Sequence, residues 1–161
     1  MAAQVPADTP LKALDDQVRT VGQWTTTFHL ALVVLDPYTY ESSWIIETAA
    51  RVLRVFAEAD CRTAFVVTAD DDGAKKFLGP FTDEFLVFAD ADRALVQAME
   101  LETLPAFVHL NQAGTVEGCA EGWEPEQWRT VSEGLASVMS WRRPEIPVAS
   151  DPVPFTGTPA R

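Results

Sequence analysis

The chain holds 161 residues, 47% hydrophobic and 22% charged, with five Trp and nine Phe. That is one domain's worth of sequence, able to bury roughly 70% of its unfolded surface and too apolar for a disordered chain. Twelve Lys and Arg against twenty-four Asp and Glu leave a net charge of −12, a surface that repels phosphate backbones and anionic lipid.

The opening residues 1–9 are small, polar and Pro-containing, and read as a mobile terminus. They lack the basic and apolar regions of a secretory signal, so the expected location is the cytoplasm. Residues 10–141 then read as one domain. From Leu11 to Trp24, Leu11, Leu14, Val18 and Val21 recur at helical intervals and predict an amphipathic helix. The stretch from Thr25 to Asp36 contains the longest uninterrupted apolar run, Leu30 to Leu35. It is far short of the ~18 residues of a membrane span and fits a strand buried on both faces, halted at Asp36-Pro37.

A long helix is expected from about Thr39 to Ala59, with Trp44, Ile45, Thr48, Ala49, Val52, Leu53 and Phe56 forming its apolar face. Arg62 to Thr68 predicts a second strand. Asp70-Asp71-Asp72 opens a short helix ending near Gly79-Pro80, Phe85 to Ala89 is a third strand, and Ala91 to Glu100 a further short helix. Ala106–Leu110 and Val116–Ala120, split by Asn111-Gln112-Ala113-Gly114, read as a β-hairpin. Pro125 stands at the first position of a last helix that turns Trp128, Val131, Leu135, Val138 and Met139 inward. Residues 142–161 hold five of the eleven prolines and no periodic pattern, and read as a tail draped on the surface with Phe155 as its anchor.

This order of elements resembles the thioredoxin-like superfamily, in its branch of reductases and peroxiredoxin relatives. Three pieces carry the resemblance: a buried strand ending at Asp36 and followed by a long helix, the segment FLVFADADRALVQAMELETLPAFVHLNQAGTV, and the closing EGWEPEQWRTVSEGLASVM. It covers roughly Thr25 to Trp141. The fold it implies is α/β, a three-layer sandwich with a central mixed sheet flanked by helices, here with an extra N-terminal helix and a Pro-rich C-terminal tail. It further implies that Pro105 is a cis proline facing the family's active site, and that the backbone of Leu104 is where an extended peptide adds as a strand.

The family's catalytic motif has no counterpart. It places a C-x-x-C, or a single peroxidatic Cys, at the tip of the helix after the first core strand, where unpaired N–H groups and the helix dipole stabilise a thiolate. The corresponding positions here are Ser42-Ser43-Trp44-Ile45, and no Cys occurs from Phe28 to Asp60. Serine caps helices but cannot exchange disulfides. The only sulfhydryls, Cys61 and Cys119, form no C-x-x-C or zinc spacing, and the inferred sheet separates them by three strand spacings, ~14 Å.

The resulting expectation is a redox-inactive protein- or peptide-binding module, a monomer or small homo-oligomer with no cofactor and no metal. Its candidate surface comprises Tyr38, Tyr40, Ser42, Ser43, Trp44, Leu104, Pro105 and Trp123. The alternative is a thiol–disulfide oxidoreductase or peroxidase-like enzyme working through Cys61 or Cys119. A third reading, a hydrolase or small-molecule binder using Ser42 or Ser43, needs a base from His29 or His109. Asp70-Asp71-Asp72 and Asp90-x-Asp92 do not fit a calcium loop, because the sixth position from Asp90 is Leu95 and the twelfth is Leu101. No phosphate-binding glycine motif is present.

Overall fold

A computed structural model describes residues 3–160. Its centre is strand β3 (His29–Leu35), after β1 (Pro10–Ala13), β2 (Val18–Thr20) and the one-turn helix α1 (Val21–Trp24). Helices α2 (Tyr40–Trp44) and α3 (Ile46–Phe56) follow, then β4 (Cys61–Val67), α4 (Asp71–Leu78), α5 (Phe81–Glu84), β5 (Leu86–Ala89) and α6 (Ala94–Ala98). The chain continues through β6 (Thr103–Leu104), β7 (Ala106–Leu110), β8 (Val116–Glu121), α7 (Pro125–Met139) and β9 (Thr158–Pro159).

Seven strands form one sheet in the order β2-β1-β5-β4-β3-β7-β8, with β3, β4 and β5 parallel and β7 antiparallel to β3. Because β3 is covered on both faces, its apolar run does not alternate: Ala31, Val33 and Leu35 face one core with α3 and α7, and Leu30, Leu32 and Val34 face the other with α6. β6 and β9 make a separate two-stranded sheet.

The strands from the middle of the sheet and the Pro125 helix lie where the sequence puts them, but Val138, at the last turn of that helix, faces outward and is 54% exposed. The Leu11–Trp24 stretch differs: its helical part is confined to α1, and the rest is a β-hairpin. Leu11 and Ala13 are buried while Lys12 between them is half-exposed, and Val18 is 64% exposed. Asp15, at φ 57°, makes the turn. The hairpin covers the otherwise bare edge of β5, with Lys12 opposite Ala89, which protects that edge from outside pairing. Residues 3–9 also lie against the body: the Val5 amide donates to the Gly114 carbonyl at 2.8 Å, and Val5 is buried. The long helix of residues 39–59 is broken at the buried Ile45, which ends α2 and begins α3. At α6, the Asp90 carboxylate accepts the Leu95 and Val96 amides, and Arg93 at φ 59° delays the start to Ala94.

Candidate functional site

Ligands in open α/β sheets gather beyond the carboxyl ends of the parallel strands. At that end of β3 stands Asp36, buried, with one carboxylate oxygen accepting the Tyr38 amide at 3.0 Å and the other paired with Arg93 at 3.1 Å. The turn at Asp36-Pro37 delivers the chain into α2. There the Ser42 hydroxyl, fully buried, accepts the Asp36 amide at 2.9 Å, while the exposed Ser43 hydroxyl donates to the Tyr40 carbonyl at 2.7 Å. Ser42 therefore plugs the turn rather than facing solvent. Both histidines lie toward the opposite end of β3, with His29 Nδ1 2.9 Å from His109 Nε2, so the hydrolytic reading loses its base.

Beside this turn, Leu104–Pro105 is a cis peptide. The Glu121 carboxylate accepts the amides of Glu102 and Thr103 at 2.5 and 2.9 Å and holds β6 in place. Across β6 lies the chain's own segment: β9 pairs antiparallel, Leu104 opposite Thr158 and Thr103 opposite Pro159, and the Ala160 amide donates to the Glu102 carbonyl at 2.8 Å. Trp123 and Phe155 exchange backbone hydrogen bonds at 2.8 and 3.0 Å, and the Trp123 indole N–H donates to the Pro152 carbonyl at 2.7 Å.

This pairing narrows the candidate surface. Leu104, Pro105 and Trp123 are buried, and residues 152–160 pair with Leu104 and Trp123. Tyr38 and Tyr40 are each 79% exposed and Trp44 is 54% exposed, and Trp44 meets the Phe155 ring edge-on at 5.6 Å. The sequence reading missed Arg93, Glu121 and both strands of the β6–β9 pair. Two-residue strands leave no periodic signal, and an Arg at positive φ cannot be told from any other surface Arg.

Neither thiol approaches this end. Cys61 pairs with His29 at the start of the parallel strands, six residue rows or ~20 Å from the Leu35 row. Burial, with the Asp60 carboxylate adding, pushes its thiol up to about 11. Cys119 stands on β8, three strands from β4. It lies open to solvent on one side in the cleft between β8 and α7, yet the surrounding protein, with Glu121 adding, raises its thiol to about 12. A thiolate nucleophile needs the reverse shift.

The acidic clusters are engaged locally. Asp70 caps the Gly73 amide, Asp71 pairs with Lys12 at 2.6 Å, and Asp15 pairs with Lys75 at 2.6 Å. Among the described residues no group of three or more His, Cys, Asp or Glu is placed to hold a metal ion, and no helix is long and apolar enough to cross a membrane.

No protein-family model and no curated protein matches the chain. Solved structures do. A Cys-to-Ser mutant of Xylella fastidiosa PrxQ superposes with a TM-score of 0.66 at 13% identity, over 86% of this chain and 97% of that one. The bacterioferritin comigratory protein of Xanthomonas campestris, described for its alkyl peroxide reduction activity, gives 0.64 at 16% identity, over 88% and 97%. DsbF of Mycobacterium tuberculosis gives 0.61 at 19%, over 82% and 98%. The chain has the thioredoxin-like fold. At these identities the likeness is one of architecture, in which Ser42 and Ser43 lie on the helix that follows the central strand β3.

Proposed function

We propose that this thioredoxin-like chain is a thiol-independent module that binds an extended polypeptide segment by strand addition at Thr103-Leu104. One observation carries the reading: this backbone edge is already paired with an extended segment, β9, in antiparallel register. Strand addition draws affinity from main-chain hydrogen bonds and specificity from the side-chain sites beside them. The side chains that touch the paired segment here are Trp44, against Phe155, and Arg93, at the Ala160 carbonyl. The absence of any Cys from Phe28 to Asp60, and the raised pKa of both thiols elsewhere, support a role without sulfur chemistry.

A second reading is favoured by the structural neighbours, one of which is described for its alkyl peroxide reduction activity. It is a thiol–disulfide oxidoreductase or peroxidase-like enzyme using Cys61 or Cys119. The two readings separate in a screen of displayed peptides against the full chain and against its C61S/C119S variant. The binding module predicts noncovalent capture of the same extended peptides by both proteins, in competition with the chain's own β9 and therefore weak, and weaker still in Trp44→Ala. Mixed disulfides that disappear in C61S/C119S would overturn it in favour of the enzyme.

A further inference from the structure

The segment lying on β6 fits its groove through side-chain-specific features, so it reports what the groove accepts. Three features do this. The first is a glycine contact. Gly157 has φ +93°, and a Cβ built on it would stand 2.6 Å from the Leu104 carbonyl oxygen and 3.3 Å from the Gly122 Cα. Gly122, at φ +74°, has the Thr156 carbonyl oxygen 2.3 Å from where its own Cβ would be. Two glycines, one from each side, let the backbones meet, and no other L-residue fits at position 157 without displacing the strand.

The second feature is the aromatic ring of Phe155, two residues before that glycine, which sets its edge on Trp44 and fixes the register through the reciprocal bonds to Trp123. The third is the far end. The Ala160 amide donates to Glu102, its carbonyl accepts from the Arg93 guanidinium, and its methyl is fully buried in the second core, leaving room only for a small side chain. Because strand residues alternate, the nitrogen of the intervening Pro159 points away from β6, where a missing N–H costs nothing.

We propose that the ligand of this groove is an extended segment of the pattern aromatic–x–Gly–x–Pro–small, and that residues Phe155–Ala160 occupy the groove as a self-ligand which a partner carrying that pattern must displace. The inference rests on the binding-module reading and names its partner class. A tethered segment competes at an effective concentration of millimolar order, so a free peptide binds the closed protein poorly. Displacement conserves the backbone hydrogen bonds, which lets a modest gain elsewhere, such as contacts to Tyr38 and Tyr40, decide the exchange.

The test uses the full chain and a fluorescein-labelled peptide of residues 153–160, VPFTGTPA, followed by fluorescence anisotropy. In Gly157→Val the added methyl groups expel the segment, which hydrogen exchange reads as loss of protection at 155–160 with the rest of the chain unchanged. The peptide is expected to bind this variant at least about tenfold more tightly than the wild type, and a peptide with Val in place of its Gly is expected not to bind. Should Gly157→Val misfold, the double variant Phe155→Ala/Thr158→Pro opens the same groove and carries the same comparison. A segment that stays protected in Gly157→Val overturns the inference, as does an opened groove that refuses VPFTGTPA while taking unrelated extended peptides. That second outcome leaves the binding module standing. An opened groove that binds no peptide at all removes both.

Discussion

The two ends of β3 carry different kinds of residue. At its start, the half-buried His29 meets the buried His109, and the buried Cys61 sits on the next strand. At its far end, Asp36 leads into a turn stapled by a buried serine, flanked by exposed aromatic rings and a backbone edge already engaged in strand pairing. The two imidazoles and the Cys61 thiol thus lie at the end of the sheet away from the Asp36 turn. At the far end the charged groups Asp36, Arg93 and Glu121 are engaged with backbone groups and with one another. Strand order and helix packing depend on apolar burial rather than on the residues at a helix tip, so one architecture can carry different residues there.

The contrast can be broken first at Trp123, which joins the far end to the segment laid over it. Trp123→Ala removes a fully buried indole, its hydrogen bond to Pro152 and its packing on Trp128 at 5.2 Å. A loss of about 3–5 kcal/mol in urea unfolding is expected; a loss below about 1 kcal/mol would mean that residues 152–158 do not seal the site.

Arg93→Ala is the next largest change. It leaves the Asp36 carboxylate without its cation and the Ala160 carbonyl without its donor, for an expected loss of about 1–3 kcal/mol and faster amide exchange confined to residues 158–160 and the Asp36 turn. Uniform exchange across the sheet would contradict a local clamp.

The opposite end gives the smallest effect, and it is sensitive to pH. Burial, with His29 adding, lowers the His109 pKa to about 4. The unfolded chain therefore binds a proton that the folded chain refuses between about pH 6.5 and 4, and stability falls as pH is lowered through that window. His109→Gln should flatten this slope in urea midpoints measured from pH 7.5 to 5, while peptide capture at the far end keeps its pH profile.

Much of the architecture was legible in the sequence. The unbroken apolar run of Leu30–Leu35 announced a doubly covered strand, and Pro125 marked the start of the last helix. Leu11–Trp24 misled because a spacing of three and four residues among Leu11, Leu14, Val18 and Val21 suits a helix, while the turn at Asp15 that makes it a hairpin depends on the β5 edge, a partner far along the chain. Leu104 and Trp123 look like surface positions in the sequence because their cover comes from a segment without periodicity. Its hold consists of single residues, Asp151 on Arg51 and Thr48, Phe155 on Trp123, and Ala160 on Glu102, each invisible until the chain is folded.

The most direct test of a sulfur-free role is turnover. The full chain and its C61S/C119S variant are each given hydrogen peroxide, an alkyl hydroperoxide and a disulfide-bonded protein substrate, with a dithiol as reductant. The account predicts rates equal to the protein-free blank for both. Turnover by the wild type that is lost in C61S/C119S would contradict it.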